Sequence, residues 1–371
     1  MTENQNLTRG LLRRLDQLPP ISLFDKTSVS SITLGPPRSF PAPPQELDLS
    51  SYPRLTLSNS RTLTARLLIG ADGLNSSVRT FAGIPSRGWD YDRHGVVATI
   101  KLAADDLETR TTDKAIAYQR FLPNGPIALL ALPDDYATLV WSTTPAEAAR
   151  LKSLSDIDFA AMIDAAFRLD VVDLEYISHL SSGQVSELEW RTSIASTTTT
   201  TKSSSLPPLP RRVTSVQPNS IASFPLRLRH ADAYTAERIA LIGDAAHTIH
   251  PLAGQGLNMG LGDVQTLVAT IQYAVMHGMD MGSGFALERY GRERWAGNSR
   301  MMGVVDKLHW LYGVRSGPLV GLRGLGLKAV DAMGPLKGFL MGQAGGGAGK
   351  ESRAGRGWLE GLMAQTQGLG K

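Results

Sequence analysis

Cysteine is absent from all 371 residues. That excludes a disulfide framework and a thiolate metal site. Long apolar runs are missing too: no stretch approaches the roughly 18 consecutive apolar residues of a membrane-spanning helix. Neither sign of charge dominates, with 38 Lys and Arg against 34 Asp and Glu. A net charge of +4 is compatible with an acidic membrane surface but is no nucleic-acid signature. The N-terminus, MTENQNLTRGLLRRLDQL, carries Glu3 and Asp16 and reads as a folded amphipathic helix, a poor signal or transit peptide. No GxGxxG follows a strand anywhere near residue 1. What is present, 42% hydrophobic and 19% charged residues, suits a globular chain with a sizeable core in two domains or one large one.

The most informative stretch runs from Arg238 to Asp263, RIALIGDAAHTIHPLAGQGLNMGLGD. Ile239 to Ile242 is a short apolar run closed by Gly243 and Asp244, a buried strand ending in a tight turn. Ala245 to Gly254 contains Pro251 and Gly254 and cannot continue as a helix. From Gln255 or Gly256 the pattern is helical, with Leu257, Leu261, Val264, Leu267 and Val268 on the expected buried side. Gly254, Gly256 and Gly260 then sit at or near a helix N-terminus, which offers unpaired N–H groups and the positive end of the helix dipole to an anion. Asp244, just past a strand end, is an acceptor for sugar-like hydroxyls. The Gly254-x-Gly256 pair is not a dinucleotide fingerprint, because eleven residues, Gly243 to Ala253, separate it from the strand.

Taken in order, residues 4 to 17 place Leu7, Leu11, Leu12 and Leu15 on one helical face. Ile21 to Phe24, Val29 to Leu34, Arg54 to Leu57 and Leu63 to Ile69 read as strands. The last runs into Gly70-Ala71-Asp72-Gly73, where the glycines permit a tight exit and Asp72 is an acceptor at a strand's carboxyl end, where α/β sheets bind ligands. Ser76, Ser77, Val78 and Arg79 open a helix, with Arg79 either functional or simply solvated. Val96 to Leu102, Ala115 to Phe121, Ile127 to Leu132 and Ala137 to Trp141 form an antiparallel sheet with turns at Asn124-Gly125 and Asp134-Asp135. Ala146 to Ala166 is helical. Residues 196–218, low in complexity and Pro-rich, are expected to be a disordered insertion. Ile221 to Leu228 returns as a strand, whose Arg227 and Arg229 face either substrate or solvent. Phe285 to Tyr312 is a long helix. Leu319 to Met341, glycine-spaced, apolar and basic, lies on a membrane or a partner or packs as an ordinary helix pair. Gly345 to Arg356 is expected to be disordered.

GDAAHTIHPLAGQGLN resembles the second flavin-binding motif of the FAD-dependent aromatic hydroxylases, and LIGADGLNSSVR (Leu68 to Arg79) resembles their other internal motif. Three strings are similar to the ubiquinone-biosynthesis branch, mitochondrial ring-hydroxylase type: RFLPNGPIALLALPDDYATLVWSTT, SFPLRLRHADAY and YGRERWAGNSRMMGVVDKLHWLY. The resemblance runs from Asn4 to about Gln343. It implies a mixed α/β fold like para-hydroxybenzoate hydroxylase. Residues 1–84 and 227–300 would belong to the FAD domain, 85–226 to a substrate domain with an antiparallel sheet, and 301–371 to a helical C-terminal region and flexible tail. The family's N-terminal βαβ unit with GxGxxG is expected to be absent, leaving the adenosine half of FAD without counterpart and a sheet edge unpaired.

By the same resemblance FAD is the cofactor. Asp72 lies near its pyrophosphate and Asp244 binds the ribityl chain, with Gly73, Arg79, Gly243 and Pro251 as further cofactor-binding residues. Gly254, Gln255, Gly256, Leu257 and Asn258 lie toward the ring's pyrimidine edge. There the helix end stabilises the negative charge of reduced flavin. The implied reaction uses O₂ to hydroxylate a polyprenylated phenol in ubiquinone synthesis. Electrons come through a ferredoxin-type donor, other ubiquinone-synthesis proteins are partners, and the setting is the matrix face of the mitochondrial inner membrane with peripheral membrane contact. No protein nucleophile is required. His247 and His250 lack an obvious third metal ligand, so no metal is expected, and they shape the loop near the flavin. Two other readings remain: a catalytically inactive form acting as a binding component of the ubiquinone-synthesis complex, or another flavoprotein sharing both motifs.

Overall fold

The computed structural model describes residues 4–18, 21–37, 48–104, 116–198, 209–250 and 254–313. It opens with α1 (Asn4–Leu15), whose leucine stripe meets no core: Leu11 and Leu12 are exposed, and no residue of the helix is buried. The strand expected at Ile21–Phe24 is irregular chain instead. β1 (Val29–Leu34), β2 (Pro53–Leu57) and β3 (Thr62–Thr64) make a small antiparallel sheet. The run Leu63–Ile69 is not one strand. It breaks after β3, and β4 (Leu68–Gly70) joins a different sheet before the short α2 (Ser77–Phe81).

Then comes the meander β5 (Ser86–Leu102), β6 (Ala117–Leu122), β7 (Gly125–Ala131) and β8 (Tyr136–Thr143). Asp134 and Asp135 both take positive φ, +57° and +62°, as the tight turn requires. Four helices follow: α3 (Pro145–Ser153), α4 (Asp156–Arg168), α5 (Val171–His179) and α6 (Gln184–Thr198). The expected single helix over Ala146–Ala166 is two. Leu154 is extended, and the Ser155 hydroxyl accepts the Asp158 N–H, so a capping residue starts a new helix where the periodicity alone runs through.

β9 (Val213–Val216) corrects the expected disordered insertion at 196–218. It pairs antiparallel with Ile100–Leu102 of β5, while 196–198 end α6 and 199–208 lie outside the described residues. The buried Asp164–Arg168 pair pins this segment: Asp164 accepts the Val213 N–H at 3.3 Å and Arg168 donates to the Pro210 carbonyl at 2.6 Å. Polar composition hid a strand held by tertiary contacts.

β10 (Ala222–Ala231), β11 (Thr235–Ala236), β12 (Ile239–Leu241), a 3₁₀ turn at Gly243–Ala245 and β13 (His247–Thr248) lead to α7 (Gly256–Met276) and α8 (Gly284–Gly313). The large sheet has the order β13-β10-β5-β8-β7-β6, with β9 also on β5. Alternate residues Val96, Ala98, Ile100, Ile127, Leu129, Leu139 and Trp141 are buried under Phe159, Met162, Ile163 and Ile177 of α4 and α5. Each large side chain so buried contributes about 1.5–3 kcal/mol. A third sheet, β11-β12-β4, has its own core of Leu68, Val78, Ile239, Leu241, Leu287 and Tyr290.

α7 is turned differently from its apolar pattern. Of the five residues expected on its buried side only Leu267 is buried; Leu257 is 52% exposed, Leu261 51%, Val264 41% and Val268 39%. Met259, Asp263, Leu267, Thr270 and Ala274 face inward instead. The reason lies in Gly260 and Gly262 together with Asp263. A Cβ on Gly260 would lie 3.5 Å from Gly243 Cα, and one on Gly262 would lie 2.9 Å from the Arg294 guanidinium. The small face permits close approach, and Asp263 finds its partners there.

Candidate cofactor-binding site

β4 and β12 are parallel neighbours, with Leu68 opposite Ile239 and Gly70 opposite Leu241. Both motifs therefore leave the sheet side by side at its carboxyl edge, which locates ligands in such sheets. Gly70 has no room for a side chain: a Cβ would meet Leu241 at 2.8 Å and Val78 at 2.9 Å.

Beyond β4, one oxygen of Asp72 accepts the Ser77 N–H at 2.8 Å, the Ser77 hydroxyl at 3.0 Å and the Val78 N–H at 3.2 Å. Burial pushes this carboxyl up, but hydrogen bonds from Ser76, Val78 and Ser77 outweigh it and hold the group below the usual carboxylate value. Asp72 thus caps α2 with one oxygen. Gly73 turns at φ +82° with open space beside it. Arg79 is half-buried rather than simply solvated. Its guanidinium donates to Leu74 O at 2.8 Å and to Ala245 O at 2.7 Å, tying the loop after β4 to the loop after β12.

Beyond β12, Gly243 takes φ +58° and Asp244 follows at the start of the 3₁₀ turn. Asp244 reaches solvent, yet neighbouring atoms crowd it enough that desolvation lifts its carboxyl above the ordinary value, with His247 drawing it back. Pro251 lies outside the described residues. Gly254 has φ +58° and nothing within 4 Å of an added Cβ. The first rung of α7 runs from Met259 N–H to Gln255 O, so the N–H groups of Gly256, Leu257 and Asn258 lie ahead of the helical ladder, and Gln255 makes no side-chain cap. Asn258 instead donates to the Gln255 side chain at 3.3 Å.

Behind these loops sits a polar cluster that sequence reasoning left without a role. Asp263, with no exposed surface, accepts from Gly243 N–H at 3.0 Å, His247 Nε2 at 2.6 Å, Arg294 Nε at 2.8 Å and Asn298 Nδ2 at 3.0 Å. Burial raises its carboxyl; the bonds from His247, Arg294 and Gly243 win and hold it low. Asn298 also donates to the Tyr234 hydroxyl, which meets His230 at 2.9 Å. The signal was available: the lone acid of α7, directly after the glycines of its first turns. The two arginines of β10 are not part of this cluster. Arg227 and Arg229 pair with Asp90 at 3.5 Å and 2.6 Å. A cavity of about 100 Å³ lies elsewhere, lined by Leu122, Trp141, Glu147, Met162 and His179 and by no residue of either motif.

These residues fit a flavin. Backbone N–H donors and carboxylate acceptors together suit a diphosphate, an anionic ring edge and a polyol. The glycines leave an open approach, and His247 Nδ1 and Thr248 Oγ1 are buried without a hydrogen-bond partner among the described residues.

Comparison with known proteins agrees. A family model described as FAD binding domain matches residues 189–303. The chain is 40% identical over 357 residues to the mitochondrial ubiquinone biosynthesis monooxygenase COQ6 of Saccharomyces cerevisiae, covering 93% of this chain and 71% of that protein. For the same enzyme of Schizosaccharomyces pombe the figures are 41% over 350 residues, 92% and 68%, and for that of Homo sapiens 38% over 341 residues, 92% and 69%. Among solved structures it is similar in fold to p-nitrophenol 4-monooxygenase PnpA of Pseudomonas putida (TM-score 0.56, 15% identity, 97% of this chain and 71% of that one). PqsL of Pseudomonas aeruginosa, a probable FAD-dependent monooxygenase, gives TM-score 0.55 at 20% identity over 83% and 69% of the two chains. The two motifs in adjacent parallel strand ends and this extent of identity lead to one conclusion: the chain belongs to the COQ6 family of ubiquinone biosynthesis monooxygenases, FAD-dependent aromatic monooxygenases.

Proposed function

We infer that this chain holds the flavin of an aromatic-ring hydroxylation in ubiquinone synthesis, with a polyprenylated phenol as substrate. The observation that carries the reading is the pairing of β4 with β12, which sets Asp72 and Asp244 at neighbouring strand ends beside the N-terminus of α7. When bound, reduced FAD supplies the activation of O₂ for transfer of one oxygen atom to the ring. The balance is one phenol, one O₂, two electrons and two protons giving the hydroxylated phenol and water. Electrons arrive from a ferredoxin-type donor.

The chain's own residues bind and orient. Asp244 accepts hydrogen bonds from the ribityl hydroxyls. The N–H groups of Gly256, Leu257 and Asn258 face the pyrimidine edge and stabilise negative charge there. Asp72 and Gly73 border the diphosphate, Arg79 braces both loops, and Pro251, Gly254 and Gln255 shape the approach to α7. Residues 85–226 form the substrate-facing domain, whose sheet walls off the ring, and 227–300 complete the flavin domain. The relatives' naming as mitochondrial supports a mitochondrial setting, and we place the work at the matrix face of the inner membrane. Among the described residues no helix is long and apolar enough to cross a membrane, and contact there is peripheral.

The test is FAD titration of the purified chain, followed between about 350 and 500 nm, with Asp244→Ala beside it. Loss of one charge-assisted hydrogen bond, about 1.5–3 kcal/mol, should weaken FAD roughly tenfold or more while the far-ultraviolet circular dichroism stays unchanged. Equal flavin content in the variant would remove Asp244 from the site.

A further inference from the structure

The two halves of the flavin site lie on different elements, and their spacing has to be set by something other than the ligand. α7 passes close to the strand exit at Gly260, where an added Cβ would be in ordinary contact, 3.5 Å from Gly243 Cα. Asp263 is three residues further along the helix and on the same side. Its carboxylate reaches across to the Gly243 N–H at 3.0 Å, next to Asp244 in the chain. The same oxygen takes Nε2 of His247 at 2.6 Å, so β13 is held as well.

The other oxygen takes Arg294 Nε of α8 at 2.8 Å, and Arg294 Nη2 closes back on Met259 O at 3.1 Å, next to Asn258. Gly262 leaves the space the guanidinium fills: a Cβ there would stand 2.9–3.1 Å from it. The network therefore grips backbone immediately beside each half of the site. A carboxylate with no exposed surface is costly to bury unless its lone pairs are met, and here four donors meet them.

We propose that Asp263, with Arg294, is a positioning residue for the flavin: it sets the separation and orientation of Asp244 relative to the N-terminus of α7, and thereby both FAD affinity and the reduction potential of bound flavin. The proposal rests on the flavin reading above. The potential follows from sign. N–H groups aimed at the pyrimidine edge favour the negative charge of the reduced form, so a helix end moved off that edge lowers the potential.

The experiment compares the wild-type chain with Asp263→Asn, which keeps shape and removes charge, and with Gly262→Ala, which crowds Arg294 without touching a candidate ligand. Three quantities are read: the dissociation constant for FAD by fluorescence quenching, the midpoint potential of the bound flavin by dye-equilibrated reduction, and the unfolding midpoint without FAD. Both variants should bind FAD about tenfold or more weakly, the equivalent of one charge-assisted hydrogen bond. The flavin they hold should have a more negative potential. Gly262→Ala should lose less of its unfolding midpoint than Asp263→Asn, since alanine's helix preference over glycine offsets part of the crowding at Arg294. Weaker binding with an unmoved potential would make Asp263 merely structural and overturn the proposal. Wild-type affinity and potential in both variants would overturn it while leaving the flavin reading intact. A wild-type chain that takes up no FAD would overturn both together.

Discussion

Replacing Arg79 by methionine keeps most of the aliphatic stem and removes the two bonds that join the motif loops, Arg79 Nη1 to Ala245 O at 2.7 Å and Nη2 to Leu74 O at 2.8 Å. Hydrogen bonds from a charged donor are worth about 1.5–3 kcal/mol each where buried. The guanidinium is only partly buried, so water replaces part of what is lost. Halving the figure for that exposure gives about 1.5–3 kcal/mol for the pair. Lysine has no planar fork and reaches one carbonyl at a time, so Arg79→Lys should cost roughly half as much. Urea denaturation is the assay: the midpoint should fall at unchanged slope, because native compactness is not altered. FAD affinity should fall alongside, since the loops carrying Asp72 and Asp244 are no longer braced against each other. If Arg79→Met were as stable as wild type within about 0.5 kcal/mol, water would fully replace both bonds and Arg79 would be no clamp.

Two further outcomes follow from the fold. His230 lies against Tyr234, stacked on Trp295, and burial followed by the nearby His247 lowers its pKa against the opposing pull of Asp232. Below about pH 6.5 the unfolded chain then binds more protons than the native one, so stability is intact at neutral pH and falls as pH drops through that value. The thermal midpoint between pH 8 and 5.5 should show this slope, and His230→Gln should flatten it; an unchanged slope in the variant would refute the assignment. Gly88 has φ +148°, and an added Cβ would run into the Leu228 carbonyl of β10. Gly88→Ala should therefore cost at least about 2 kcal/mol and raise hydrogen exchange along Leu228–Ala231, whereas wild-type protection there would show that the strand pair absorbs the methyl group.

The antiparallel meander could be read from the sequence because each of its strands alternates and its turns carry Asn-Gly and Asp-Asp, all local information. The two flavin motifs could be read because Gly, Asp and Pro at fixed offsets constrain the backbone within a few residues. The long helices were found nearly to their ends, α7 beginning at Gly256 as expected. Where reading failed, a competing partner was distant in the chain. β9 looked disordered because nothing local shows that Ile100–Leu102 would accept it or that Asp164 would bind Val213. Leu63–Ile69 looked like one strand because its apolar run does not record that its ends belong to separate sheets.

Residue types and their local order set the chemistry on offer: no thiol, two acid-and-glycine strand exits, and a glycine-rich helix start. Which face of α7 turns inward was set by contacts between distant elements. Apolar periodicity placed Leu257, Leu261, Val264 and Val268 inside. Packing instead chose the side with Gly262 and Asp263, where Gly262 leaves room for the Arg294 guanidinium and the buried carboxylate finds all its donors. Apolar spacing is a property of one helix alone. The position of a charge that must be paired depends on three other elements at once, and no local window of sequence contains them.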